Sequence, residues 1–369
     1  MERMMNLLTK TAPWAMGLLF AVVAAFGENG KCPPPKKNMN QGDQLIPDQY
    51  LGTYNIPARI DVRNDWDFYG TASFTYWQPI QENMEPAQVG TSSGAGNDLD
   101  IVNMNFEYKP GFKLGFGMSL DHDNWDGYAQ YTWFRGTSST SPTVLETVLV
   151  PVAGTVVVYP YYGNTEGYNY FTASQSWRLQ MDFADLELAR SYYNGASLTL
   201  RPFCGVRAAW IRQYLNSLYE GTDGTDSVEN KIKQNTNSWG IGPRAGIYGN
   251  WLLGEGLRIY GNGGGDILYT RYTKLGLKQT RSVGGFRNLA MQRDFGTLRA
   301  HLELELGLGW GTYFDNNNWH VDLSADYGFQ VFFNQNMFRA HGSTPGNDID
   351  LTYNNLYIHG MTATARLDF

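Results

Sequence analysis

From Leu298 to Trp310 the chain places Leu298, Ala300, Leu302, Leu304, Leu306, Leu308 and Trp310 at every even position, and Arg299, His301, Glu303, Glu305, Gly307 and Gly309 at every odd one. Alternation with a period of two marks a β-strand with two unlike faces. The same period recurs along the chain. Phe68, Gly70, Ala72, Phe74 and Tyr76 alternate with Tyr69, Thr71, Ser73 and Thr75, and Val102 to Leu120 holds one apolar face across Pro110. Further apolar stripes are Trp125 to Trp133, Trp177 to Phe183, Leu198 to Trp210, Trp239 to Trp251, Leu257 with Ile259, Trp319 to Phe333, and Tyr357 to Phe369. The pattern predicts an all-β chain. It leaves open which face is inside: a soluble sandwich buries the apolar stripe, whereas a membrane barrel turns it to lipid and lines its lumen with the polar one.

The connections decide between these. Asp121 to Asn124, Ser191 to Ala196, Gly254 to Gly256 and Asp315 to Asn318 are short and rich in Asp, Asn and Gly, which favour tight turns. Between them lie long connections over 83–99, 136–169, 216–237, 274–294 and 334–350. Short turns on one rim and long loops on the other are the layout of a transmembrane antiparallel up-and-down β-barrel, with periplasmic turns and extracellular loops. Pairing the stripes in this order predicts ten strands. Twelve is the alternative if Val144 to Val150 and Thr155 to Tyr159 cross the bilayer. Each is shorter than the roughly 9 to 11 residues a crossing needs, and Pro151 and Pro160 interrupt them, so an apolar hairpin projecting from the second loop is expected. Tryptophans near strand ends (Trp125, Trp177, Trp210, Trp239, Trp251, Trp310 and Trp319) are expected to form aromatic girdles at the two interfaces.

The ends of the chain agree with export. Arg3 and Lys10 precede an apolar run from Ala12 to Phe26, and Ala25-Phe26-Gly27 supplies small residues for cleavage. Residues 1–27 therefore read as a signal peptide, 28–64, with Cys32-Pro33-Pro34-Pro35, as a Pro-rich periplasmic leader, and 65–369 as an outer-membrane barrel. The last strand stops at Phe369, read as an assembly signal. Aromatic residues reach 15% and glycines number 42, which suits many short-turned strands. The net charge of −7 argues against nucleic acid as a partner. The expected partners are the lipid bilayer, the outer-membrane assembly machinery, small hydrophilic solutes, and a host surface reached through the loops. Cys32 and Cys204 are the only cysteines; free thiols or intermolecular bonding are expected ahead of an internal bridge.

Several stretches carry a family likeness. Phe68–Pro79 (FYGTASFTYWQP), Pro110–Gly117 (PGFKLGFG), His122–Asp126 (HDNWD), Leu200–Phe203 (LRPF) and Gly205–Trp210 (GVRAAW) resemble the Legionella-type major outer membrane protein family. Similar pore-forming proteins occur in environmental relatives of the chlamydiae. The likeness spans about residue 66 to the end. It implies a barrel and a porin-like role, and it carries over no catalytic residue and no cofactor. The two cysteines set the chain apart from the cysteine-rich, cross-linked chlamydial major porin.

By parity the lumen is expected to receive Arg178, Arg201, Arg207, Arg244, Arg258, Arg299 and Arg366 against Asp182, Asp266, Glu303, Glu305, Asp322, Asp326 and Asp368. Two outcomes stay open: a transverse field that selects solutes, or a paired network that seals a narrow barrel. Gly307, Gly309 and Gly311 are expected to make room for tyrosines of neighbouring strands, with Gly307→Ser tolerated, and the Gly261–Gly265 run to mark a bend rather than a nucleotide loop. Asp121-His122-Asp123 and His320-Val321-Asp322 offer a histidine beside a carboxylate, the minimum for general-base chemistry. Both fall on the short-turn rim, away from a surface substrate, so no enzyme is expected. The five histidines are scattered, and no metal spacing is present.

Overall fold

Ten antiparallel strands close on themselves in the computed structural model of the chain. It describes residues 58–62, 67–93, 96–120, 124–140, 155–160, 168–285, 287–292, 294–341, 349–351 and 353–369. The signal peptide, nearly all of the leader, Cys32 and Asp121-His122-Asp123 lie outside these residues. The barrel strands are β1 (Phe68–Gln81), β2 (Lys109–Ser119), β3 (Trp125–Ser139), β4 (Asn169–Arg190), β5 (Leu198–Thr222), β6 (Ser227–Gly254), β7 (Leu257–Arg281), β8 (Phe295–Phe314), β9 (Trp319–Asn336) and β10 (Asn354–Asp368). Each pairs with the next, and β1 pairs with β10 from Tyr69↔Asp368 to Gln81↔Leu356, which closes the ring and removes both edges.

Three of the four short turns are described in full, and they have the backbone they need: Gly195, in the turn over 191–196, takes φ of +85°. Gly254, Glu255 and Gly256 take φ of +106°, +52° and +79°, and Asp315, Asn316 and Asn317 take +51°, +55° and +68°. Left-handed backbone of this kind is open to Gly, Asn and Asp at low cost. At the strand end Phe68 and Phe369 exchange both backbone hydrogen bonds, 3.1 and 2.9 Å, and the Phe369 ring lies 5.9 Å from that of Trp319.

Leu298, Leu302, Leu304, Leu306 and Leu308 are more than half exposed on the outside of β8, while His301 on the opposite face is buried. The leucines face lipid. Cys204 is also on the outer face and carries a free thiol. The twelve-strand alternative falls: Thr155–Pro160 pairs with a short strand, Ala87–Ser93, and its ladder with β4 is the single pair Val158↔Tyr170, so it belongs to a sheet extension among the loops. Residues 144–150 lie outside the described set.

Two expectations need correction, for one physical reason. The segment 216–237 is not a long loop: β5 and β6 stay paired from Leu198↔Trp251 to Thr222↔Ser227, joined by a tight turn whose Asp223 carboxylate accepts from the Thr225 and Asp226 amides at 2.9 and 2.7 Å. Those amides, Asp226 first, hold the exposed Asp223 below the ordinary carboxylate range. β7 likewise runs on to Arg281. Beyond the bilayer the lipid vanishes and the apolar stripe changes face. On β5, Leu200, Val206 and Trp210 point outward below the boundary, while Ile211, Leu215 and Tyr219 are buried inside above it. On β4, Leu186 and Leu188 face outward, but Trp177, Leu179, Met181 and Phe183 point into the barrel. Trp177 is therefore core rather than girdle, 2% exposed and donating from Nε1 to Gln213 at 3.1 Å. Arg178 and Asp182, expected in the lumen, face outward; Asp182 pairs with Arg135 there at 2.9 Å.

Candidate functional site: the lumen

The inside of the barrel has two storeys. The lower one, toward the short turns, is polar, and it contains a cavity of about 590 Å³ that runs from rim residues such as Asn124, Ser191 and Gly256 up to Trp77, Thr132, Phe183 and Gln330. Its wall carries Arg201, Arg207, Arg244, Glu303, Glu305, Asp322 and Asp326, all expected there, together with Arg258 and Arg366. Arg299 also points inward but sits higher, its guanidinium stacked over Tyr272 at 5.6 Å and donating to the Tyr272 hydroxyl at 3.2 Å. It takes no part in the charged cluster.

The cluster joins register partners on neighbouring strands and also reaches across strands that are not paired. Arg207 on β5 grips Asp185 on β4 with two bonds, Nε to Oδ1 at 2.6 Å and Nη2 to Oδ2 at 2.7 Å, and reaches past β6 to Asp266 on β7 at 3.0 Å. Arg244 on β6 donates to Glu187 on β4 at 3.3 Å and to Glu303 on β8. Arg201 bridges to Asp126 on β3 and lies 3.6 Å from Glu187. Lys113 on β2 crosses the lumen to Glu305 on β8 at 3.2 Å. Asp266 also accepts from His301 Nδ1 at 2.8 Å. Around this centre Arg258 pairs with Asp322, the Tyr260 hydroxyl donates to Asp326 at 2.9 Å, and Arg366 and His320 both bond Asp368 at 2.9 Å. The side chains of Arg207, Arg244, Asp185 and Asp266 are at most 5% exposed. Charges so deep are tolerable only when each meets opposite charge and hydrogen bonds, and these do.

Glycines make the room. A Cβ at Gly246 would lie 2.5 Å from the Phe203 ring, the face over which the Arg244 guanidinium stacks at 5.2 Å. Gly307 yields to Tyr260, as expected of it, but Gly309 yields to Arg258 and Gly311 to His320 rather than to tyrosines. The Gly261–Gly265 run stays in unbroken register with both β6 and β8, so it marks no bulge.

The upper storey is closely packed, an apolar cluster interleaved with buried, hydrogen-bonded polar side chains such as Gln175, Gln213, Asn230 and Gln279. Phe134, Trp177, Leu179, Met181, Leu215, Leu356 and Ile358 are at most 2% exposed and belong to one cluster that fills the barrel above the cavity. At the junction Phe183 stacks on Phe332 at 5.5 Å, with Arg207 beneath it at 5.3 Å. The first connection folds in on top: Gln175 donates to the Met84 carbonyl at 2.6 Å, the Tyr219 hydroxyl to the Pro86 carbonyl at 2.7 Å, and Gln78 to the Phe106 carbonyl at 2.6 Å. Met84, Ala87 and Met104 join the apolar cluster. The described lumen thus has a charge-lined cavity below and a closely packed interior above.

The model of the Legionella pneumophila major outer membrane protein precursor family matches residues 58–369. The chain belongs to that family. The match covers the whole barrel. As a member of the Legionella major outer membrane protein family, the chain is assigned to the bacterial outer membrane, within the lipid bilayer. No curated protein matches it. Among solved structures it is similar to the outer membrane protease OmpT from Escherichia coli, at 11% identity over 84% of this chain and 98% of that one, with a TM-score of 0.32. The Pseudomonas putida toluene transporter TodX is similar at 8% identity over 83% and 90%, TM-score 0.28. A major outer membrane protein from Thermus thermophilus is similar at 10% over 83% and 100%, TM-score 0.24. At these values the likenesses carry no function across.

The sequence reading missed Lys113, Asp126, Asp185 and Glu187. For the last two the signal was present in Leu186 and Leu188, which fix the outward parity of lower β4; the apolar Trp177 to Phe183 stretch carried the opposite parity and overrode it. Lys113 and Asp126 also carried the inward parity, opposite Phe112, Leu114 and Phe116 and the Trp125 to Trp133 stripe, but their partners on other strands are set only by closure of the ring.

Proposed function

We propose that the chain is a gated diffusion pore for small hydrophilic solutes or ions, held shut in the conformation described above. The polar cavity of about 590 Å³ supports this reading most. A ten-strand barrel is narrow enough for side chains to fill it, and one that served only as an anchor has no need of a wet, charge-lined half. The gate is the packed upper storey, with the first connection over it. No catalytic step enters the proposal, because His320 is committed to Asp368 and Asp322 to Arg258.

A second reading has its own observation. The ion pair that crosses the lumen, Lys113 to Glu305, with Arg244 to Glu303 reaching over β7 beside it, favours a permanently sealed barrel acting at the surface through its loops, by adhesion or as scaffold. Planar-bilayer conductance separates the two. The refolded protein is expected to give rare openings, and a variant lacking residues 83–105 frequent ones. Absence of current from both, with each shown to be a heat-modifiable barrel, overturns the pore and leaves the surface role.

A further inference from the structure

The outer wall of β4 to β7 continues past the bilayer, and its side chains there are sorted by charge. Trp133, Asp182, Trp210 and Trp239 are register neighbours on successive strands and face outward. One outward position nearer the membrane the same strands carry Tyr131, Ala184, Ala208 and Ile241, all able to sit in hydrocarbon or at its edge. The tryptophans therefore mark the interface. One outward position farther from the membrane stand Arg135, Gln180, Arg212, Asn237 and Lys274, again in register. Beyond them come Arg178, then Lys233 directly opposite Lys278.

Arg135 is neutralised by Asp182. Arg178, Arg212, Lys233, Lys274 and Lys278 have no ion pair among the described residues. Besides Asp182, carboxylates meet this wall at the interface row, where Asp294 pairs at 3.0 Å with Arg271, the register neighbour of Trp239, and near the tips, at Glu220 and at Glu229, which pairs with Lys231 at 2.5 Å. In a chain of net charge −7, five uncompensated cations on one wall are a local feature. Two lysines facing each other across a strand pair also repel, which costs stability unless an anion lies over them.

We propose that this wall docks the phosphorylated headgroups of outer-leaflet lipid, the tryptophans seating the acyl region and Arg212, Lys233, Lys274 and Lys278 the phosphates. Arginine and lysine bind phosphate by charge-assisted hydrogen bonds, and the adjacent apolar belt selects an anion that is tethered to a lipid. This inference does not depend on whether the lumen conducts.

The test is binding of fluorescent lipid A to the refolded full barrel in zwitterionic detergent. The variant Arg212→Ser/Lys233→Ser/Lys274→Ser/Lys278→Ser is expected to lose about tenfold or more in affinity, the scale of one lost strong contact. Added salt is expected to weaken the wild type toward the variant. The charge-keeping variant Arg212→Lys/Lys233→Arg/Lys274→Arg/Lys278→Arg is expected to bind like the wild type, and heat-modifiability checks that each barrel is folded. Dephosphorylated lipid A should bind wild type and serine variant alike, and inorganic phosphate should not displace lipid A. Equal binding of lipid A by wild type and serine variant, or retention of full affinity by the dephosphorylated lipid, overturns the proposal. Displacement by inorganic phosphate overturns it in favour of a site for the free anion.

Discussion

Leu304 and Gly307 stand three residues apart on β8 and answer to different surroundings. Leu304 is 65% exposed to the lipid zone, where an arginine costs on the order of 2 to 4 kcal/mol near mid-membrane. Gly307 faces inward, and a Cβ there would lie 2.4 Å from the Ala325 carbonyl oxygen, 2.7 Å from the Tyr260 ring and 2.8 Å from the Asp326 Cβ. The backbone oxygen cannot step aside, so Gly307→Ser, which reads as harmless from the strand pattern, is expected to cost about 1 to 3 kcal/mol through overpacking. Urea unfolding of the two variants in lipid vesicles checks both: Leu304→Arg and Gly307→Ser should each lower the midpoint, and a wild-type midpoint for either removes the corresponding contact from this account.

Strands longer than the membrane is thick give this barrel its character. On β6 the outward apolar band runs from Ile241 to Trp251, roughly 25 Å of height for a tilted strand, yet the strand begins at Ser227. The surplus turns its apolar side chains inward, because water now lies outside. Strand identity and the lipid face of β8 were legible in the sequence, since lipid enforces a single parity there. The extensions of β5 to β7 were not, because polar outward residues such as Arg212, Asn216, Lys231 and Lys233 look like loop when lipid is the only template. Of the charged cluster, the inward positions of Arg201, Arg207, Arg244 and the β8 acids were legible from parity, whereas a pairing such as Lys113 with Glu305 depended on ring closure. The change of face is directly measurable in a Cys204→Ser background. A fluorophore on Val206→Cys should be quenched by brominated lipid, one on Arg212→Cys by aqueous iodide, and one on Leu215→Cys by neither. Lipid quenching at Arg212→Cys would place the boundary elsewhere.

At the scale of the molecule, a charge-lined lower cavity meets a closely packed upper interior at Trp77, Phe183 and Phe332, and ion pairs reaching across strands brace the junction. A buried pair that loses one partner costs about 3 to 5 kcal/mol, so the brace holds as a unit. The central claim is that the lumen is open to water from the short-turn side and closed from the loop side. Ser324 lines the cavity on β9. The most direct measurement is the reaction of Ser324→Cys, in the Cys204→Ser background, with a membrane-impermeant thiol reagent added to one side of an oriented bilayer. Rapid labelling from the short-turn side with little from the loop side is the result predicted; equal labelling from both sides would contradict a closed gate, and none from either would contradict the wet lower lumen.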